Sequence, residues 1–376
     1  MCIDFRKLND ITNKDNYPLP RIDEIPDELA GAKFFSSLDA TCGYYQIEME
    51  EESKAKIAFR WKSGFYEFNR MPFGLCNAPA TFQRMMDLIF RDINRVFVIP
   101  YLDDIIIYSR TEEEHIEHLE ETLKRLKNAG ISLNKKKCKF FKKEIGMLGN
   151  IVTEGIVKPD KAKIEAIRAF NKPETIKELR SFLGLLNYCR GFIPGLAKHE
   201  VPLSNLLKGE SKRSIKAITW DETSSKAFEY LRNTLGEETM RAQPDFDKTF
   251  ILTTDTSGYA YGAILSQRQD NGIEKMIYAY SKTMDQAQRN YSVTDKEPLG
   301  VVKSMEHIRR YLLGKKFILR TDHKALIYLA NASDPSSRML RWRLKMQEYE
   351  YQIEHIQGEL NGADGLSRYC NTIKGC

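Results

Sequence analysis

The chain has 376 residues, 42% of them hydrophobic, and its 58 Lys+Arg against 52 Asp+Glu leave a net charge of +6. That length exceeds what one core usually supports, so two or more compact units are expected. No run approaches a membrane span and MCIDFRKLND carries no apolar leader, so a soluble intracellular protein with no membrane partner is expected.

Seven cysteines, Cys2, Cys42, Cys76, Cys138, Cys189, Cys370 and Cys376, are scattered without a C-x-x-C pair, which argues against a zinc knuckle or a disulfide framework. From Phe34 to about Gly155 short strands mix with helices. KFFSSLDA reads as a strand ending in Asp39, ATFQRMMDLIF as a helix and FVIPYLDDIIIYS as a hairpin. Ile116, Leu119, Leu123 and Leu126 recur at helical spacing, and Gly130 suits the C-terminal cap of that helix. His115 and His118 share it without an H-E-x-x-H pattern and read as surface residues. Nine basic residues from Lys124 to Lys143 form either a phosphate-binding patch or a solvated face.

Pro159 to about Lys208 reads as helical, with Thr175 and Glu178 as a capping box before the apolar face Leu179, Phe182, Leu183 and Leu186. After GESKRS comes a helical piece around Phe228 and Leu231. Beyond Pro244 the strands FILTTDTS, YGAILSQ and KMIYAYS precede a helix beginning near Thr294, the strand KFILRTDH, a helix from Ser337 to Gln347 and the strand YQIEHI. This order suggests a separate mixed α/β domain.

Acidic residues gather at strand ends in two places. Asp39 ends one apolar strand, and Asp103 and Asp104 sit between two others. Further on, Asp255 ends FILTTD, Glu297 lies in a first helical turn, Asp322 ends FILRTD and Asp364 follows NGA. Each has a structural explanation: Asp-Asp suits a hairpin turn, Thr294-x-x-Glu297 fits a capping box, and Asp322 and Asp364 suit helix starts. Acids brought together repel unless neutralised, and divalent cations would neutralise them, as in phosphoryl transfer by two metals about 3.5–4 Å apart.

The motifs FSSLDATCGYYQI, NRMPFGLCNAPATFQRMMD, YLDDIIIYS and KKKCKFFKKEIGMLGNIVTEGI, in that order, resemble the palm of a reverse transcriptase. ELRSFLGLLNYCRGFIPGLAKHEVPLSNLLKG resembles its thumb, and TDTSGYAYGAIL, TDKEPLGVV, LRTDHKAL and NGADGLSR resemble a tethered ribonuclease H. The order is that of a Gypsy-class LTR retrotransposon Pol polyprotein.

The resemblance implies an α+β fold: a right-hand polymerase palm with partial fingers and a helical thumb, followed by a ribonuclease H-like mixed α/β domain. The expected boundaries are 1–155 for fingers and palm, 156–243 for thumb and connecting region, and 244–370 for ribonuclease H. It further implies that Asp39, Asp103 and Asp104 are the polymerase's catalytic, metal-binding triad. Asp255, Glu297, Asp322 and Asp364 play that part in the ribonuclease H, with Mg²⁺ as cofactor and Mn²⁺ as an alternative. Tyr44 matches the gate beneath the incoming sugar, or else a core aromatic. Phe73 and Gly74 match the nucleotide pocket, and Gly146 to Val152 the primer grip. Lys177, Arg180 and Arg190 face phosphates or solvent, and His355 is a product-release histidine or a plain strand residue.

The implied partners are an RNA template, a DNA primer, an RNA–DNA hybrid and deoxynucleoside triphosphates, with dimerisation left open, in a cytoplasmic particle or the nucleus. Three features depart from the pattern: the start inside the motif that normally follows the first fingers strands, which predicts weak polymerisation or none, Pro100 in a strand, and Pro298 after Glu297. A catalytically silent nucleic-acid-binding relic is the rival reading.

Overall fold

The computed structural model describes residues 3–211, 214–236, 239–321 and 337–356. The chain divides into two compact units, one running to Leu148 with Val152–Gly155, the other made of Gly149–Ile151 and everything from Ile156 on. Among the described residues no helix is long and apolar enough to cross a membrane.

In the first unit α1 (Arg6–Ile11) precedes β1 (Phe34–Asp39), the hairpin β2 (Phe59–Trp61) and β3 (Gly64–Tyr66), and α2 (Ala78–Ile89). The chain continues through β4 (Val98–Tyr101), β5 (Asp104–Ser109), α3 (Glu112–Asn128), β6 (Lys139–Lys142) and β7 (Glu144–Met147). The sheet runs β4-β5-β1-β6 with antiparallel neighbours. One face carries the core: Leu38, Val98, Ile105 and Ile107 from the strands meet Phe82, Met86, Leu119 and Leu126 from α2 and α3. Pro100 sits in β4, the edge strand, where a missing N–H costs no ladder bond.

Helix α3 corrects the sequence reading. Thr111 caps it in a full capping box and Gly130 follows it at φ +71°. Its buried residues, however, are His115, Leu119, Thr122 and Leu126, while Ile116 and Leu123 are exposed. His115 is therefore not on the surface. The strands beneath it present Ser36 and Ser109, whose hydroxyls need partners when buried. His115 Nε2 meets Ser36 Oγ at 2.7 Å, its Nδ1 meets Ser109 Oγ at 2.8 Å, and Ser109 Oγ reaches His118 Nδ1 at 2.7 Å. Burial holds the His115 imidazole down at about 4, with His118 adding to the effect.

The second unit takes up the chain through β8 (Asn150–Thr153) and β9 (Ile156–Pro159), then α4 (Lys161–Arg168), α5 (Ile176–Tyr188), α6 (Leu196–Leu206) and α7 (Glu222–Thr234). Thr175 and Glu178 form the expected capping box, and Leu179, Phe182 and Leu186 pack against Ile164, Leu203, Phe228 and Leu231.

After β10 (Arg241–Ala242) come β11 (Phe250–Thr256), β12 (Ala260–Arg268), β13 (Glu274–Thr283), α8 (Val293–His307), β14 (Lys316–Thr321), α9 (Ser337–Met346) and β15 (Glu350–His355). The sheet order is β13-β12-β11-β14-β15, antiparallel on the β13 side and parallel on the β15 side. Its core joins Leu252, Leu265 and Leu319 to Leu299, Val302 and Trp342.

This unit includes both the helical segment and the five-stranded sheet. Arg190 makes the joint: Nη2 binds both Glu200 oxygens at 3.0 and 2.7 Å, and Nη1 donates to the Ser281 carbonyl of β13 at 3.2 Å. The Ala197 N–H donates to Ser281 Oγ at 2.9 Å, and the buried Arg241 donates to the Ile277 carbonyl at 2.9 Å.

Candidate active site

Asp39 closes β1 and Asp104 opens β5, and the antiparallel register sets them directly opposite each other. Asp103 precedes Asp104 in the tight turn from β4, where Tyr101 pairs with Asp104. Leu102 enters that turn at φ +52°, a conformation that costs an L-residue roughly 1–2 kcal/mol. The side chain of Gln83 holds it. Its Oε1 accepts the Leu102 N–H at 2.9 Å and its Nε2 donates to the Pro100 carbonyl at 3.0 Å. Gln83 is fully buried.

The three carboxylates influence one another. Burial, then the charges of Asp39 and Asp104, push the Asp103 carboxyl up, while Lys137 acts in the other direction. Asp104 stays open to solvent at one edge, yet its crowded surroundings and then Asp39 push it up as well. Lys137 Nζ sits 3.2 Å from Asp39 Oδ2. Its segment is tied to the end of β1 by Asn134 N–H donating to the Asp39 carbonyl at 2.8 Å and by Gln46, which bridges Thr41 and Ser132.

Asp103 Oδ1 is buried without a hydrogen-bond partner. A buried oxygen left bare is costly, and a cation would satisfy it. Among the described residues no three acidic, histidine or cysteine side chains already form a cage, so the fit rests on that oxygen and on the all-carboxylate donor set, which suits a hard divalent cation.

The backbone of residues 43–46 lies against the carboxylates: a Cβ on Gly43 would collide with Asp103 Oδ1 and with the Phe82 ring. Only glycine fits there. The next residue, Tyr44, stands between core and surface. Its ring lies 4.8 Å from that of Phe73 and 5.7 Å from that of Phe82, and its hydroxyl is pushed up by burial and then by Asp103. Phe73 is exposed, with Tyr45 on its other side at 5.3 Å, and Gly74 turns the chain away at φ +101°. The Tyr44 ring thus touches both a buried ring, Phe82, and an exposed one, Phe73.

In the second unit Asp255 is exposed near the end of β11, opposite Gly262, while Glu297 is buried on α8. A Cβ on Gly300 would collide with Thr256 Oγ1, so α8 crosses β11 in close contact one residue from Asp255 and one helical turn from Glu297. Ser292, not Thr294, caps α8, accepting the Asp295 N–H at 3.1 Å. The N-terminal cap pair is therefore Ser292 with Asp295, not Thr294 with Glu297, and Pro298 falls in the second turn of α8. Asp322 and Asp364 lie outside the described residues. His355 ends β15 opposite Thr321, the residue before Asp322.

Comparison with known families decides the class. Residues 1–152 match the family described as reverse transcriptase (RNA-dependent DNA polymerase), and residues 245–349 match the RNase H-like domain found in reverse transcriptase. The chain carries a reverse transcriptase domain followed by a ribonuclease H-like domain.

It is 43% identical to the retrovirus-related Pol polyprotein from transposon 297 of Drosophila melanogaster, over 98% of this chain and 34% of that protein. Identity is 36% to the transposon Tf2-3 polyprotein of Schizosaccharomyces pombe, over 98% and 28%. The chain thus spans about a third of the length of the curated relatives it matches. The fold is similar to a foamy viral protease-reverse transcriptase in complex with RNA/DNA hybrid (TM-score 0.78, 21% identity, 94% of this chain and 48% of that one). It is also similar to a foamy viral protease-reverse transcriptase solved with dsDNA (TM-score 0.80, 21% identity, 95% and 75%).

Within the reverse transcriptase domain, the sequence reading missed Gln83, Gln46 and Lys137 as parts of the site. A signal existed for Gln83: a polar residue beside Phe82 and near Met86 on the buried side of a helix requires a partner. Of the basic residues read as facing either phosphates or solvent, Arg125 is committed to Asp92 and Glu121, and Arg180 to the Glu210 and Ser211 carbonyls. Arg190 is committed to Glu200 and Ser281, and Lys177 remains exposed.

Proposed function

We propose that this chain is an RNA-directed DNA polymerase with ribonuclease H activity, adding deoxynucleotides to a primer 3′-hydroxyl and cutting the RNA of an RNA–DNA hybrid. The observation that carries it is the facing of Asp39 and Asp104 across β1 and β5, with the bare Oδ1 of Asp103 in the adjoining turn. Asp39 and Asp103 would hold the polymerase metals and Asp104 would complete the triad. Bound Mg²⁺, or Mn²⁺, would supply charge neutralisation and activation of the attacking oxygen.

The chain's own residues do the rest. Gln83 fixes the turn so that the carboxylates are set before substrate arrives, Gly43 lets the 43–46 backbone approach Asp103, and Tyr44 with Phe73 walls the sugar side of a nucleotide pocket that Gly74 closes. In the ribonuclease H-like domain Asp255, Glu297, Asp322 and Asp364 are the proposed metal-binding acids, and His355 the group that eases product departure. Template, primer, hybrid and deoxynucleoside triphosphates are the proposed partners.

The test is extension of a labelled primer on an RNA template and, separately, cleavage of a labelled hybrid, each with Mg²⁺ and with chelator. Metal-dependent product in both assays is expected. A folded protein that binds nucleic acid but yields neither product would support the silent relic instead.

A further inference from the structure

The segment from Asp4 to Tyr17 lies along the stretch that carries Phe73, Gly74 and α2. Most of its ties are ordinary: Asn77 Oδ1 accepts the Asp15 N–H at 3.0 Å, Arg84 pairs with Asp15 at 2.6 Å, and Tyr17 Oη donates to Asp87 at 2.6 Å. Asn9 is different. Its Nδ2 donates to the Gly74 carbonyl at 2.8 Å while its Oδ1 accepts the Cys76 N–H at 2.9 Å. One planar amide thus grips the backbone on both sides of Leu75, 65 residues away in the chain.

That grip falls where the stretch is exposed, just after Phe73. Gly74 occupies φ +101°, and Phe73 is exposed, touching the Tyr44 and Tyr45 rings. Beneath the loop the buried Phe5 meets the space where a Gly74 Cβ would stand, at 3.4 Å. Two hydrogen bonds from a planar amide restrain the backbone that directly follows Phe73, and so limit how far that residue can be carried away from Tyr44.

We infer that Asn9 is a positioning residue for the nucleotide pocket: by clamping Gly74 and Cys76 it sets Phe73 against Tyr44 and so fixes the wall that meets the incoming nucleotide. The inference rests on the polymerase reading above. Asn9 touches no reacting atom. Its effect is on how well a nucleotide is bound, since a wall that must be ordered on binding weakens affinity.

The whole chain and its Asn9→Ala, Asn13→Ala and Asp15→Ala variants should be compared for binding of dTTP to the complex with poly(rA) and a dideoxy-terminated oligo(dT) primer, in Mg²⁺. Amide hydrogen exchange over residues 73–77 and hybrid cleavage are measured alongside. Asn9→Ala should weaken dTTP binding about tenfold, the loss of roughly one net hydrogen bond, and speed exchange at Cys76, with cleavage unchanged. Asn13→Ala, which shortens an exposed side chain and keeps the backbone carbonyl that Asn77 binds, should match the parent chain.

Equal dTTP affinity in Asn9→Ala and the parent would overturn the inference while leaving the polymerase reading intact. So would an equal loss in Asp15→Ala, which loosens the segment without touching the clamp. A parent chain that binds no dTTP at all would instead sink the polymerase reading, and this inference with it.

Discussion

Gln83 and Leu102 are joined by a 2.9 Å hydrogen bond from the Leu102 N–H to the Gln83 side chain, across 19 residues. It holds the one residue of the aspartate turn that has positive φ. Replacing Gln83 by Leu keeps the volume but strands the Leu102 N–H and the Pro100 carbonyl, each at about 1–3 kcal/mol. The turn should relax and Asp103 should move. DNA synthesis by Gln83→Leu is expected to fall about tenfold or more with hybrid cleavage preserved, as primer extension and hybrid assays would show. Unimpaired synthesis would mean that the turn holds its shape without help.

Asp39, Asp103 and Asp104 lie in one compact unit and Asp255 and Glu297 in the other, so their losses should separate. Asp103→Asn should abolish DNA synthesis while cleavage persists, and Asp255→Asn should do the reverse. Both activities are read on the same folded preparation, and parallel loss in both variants would contradict the two-site reading.

With Tyr44 as the proposed gate, Tyr44→Val should open space beneath the incoming sugar while leaving Phe73 and Phe82 to pack. The expected outcome is a rise of about tenfold or more in ribonucleotide relative to deoxynucleotide incorporation, from removing a clash rather than adding a contact. An active variant with an unchanged ratio would return Tyr44 to the core.

The His115 network makes stability depend on pH. The imidazole is held at about 4 in the folded chain, whereas it titrates near 6.5 when unfolded. Between those values the unfolded chain binds the extra proton, so stability is complete above about pH 6.5 and declines as pH falls towards 4. The full loss from this group is on the order of 3 kcal/mol. Urea unfolding from pH 7.5 to 4.5 should therefore slope more steeply in the parent than in His115→Leu, and identical slopes would show that His115 takes no part.

What was legible in the sequence followed from signals that act locally. Apolar runs ending at Asp39 and following the Asp103–Asp104 pair placed β1 and β5, and Thr175 with Glu178 placed the start of α5. What escaped depended on facing surfaces. The apolar residues of α3 pointed to a face containing Ile116 and Leu123, but Ser36 and Ser109 on the sheet turned His115 and Thr122 inward instead. Thr294 and Ser292 are both competent caps, and only the path from β13 selects Ser292. Lys137 could not be assigned to Asp39 because 98 residues separate them, and the charged run around it offered several equal candidates.

The Arg190 joint bears on how this polypeptide can be taken apart. A fragment excised at residue 244, where composition changes, would lose Arg241 from beneath the Ile277 carbonyl and would strip β13 of the backbone donor at Ala197 and of Arg190. The ribonuclease H-like sheet would then carry a raw flank into solution. A fragment starting near Gly149 would keep that flank covered, so the portable module is the helical segment and the sheet inherited as one piece.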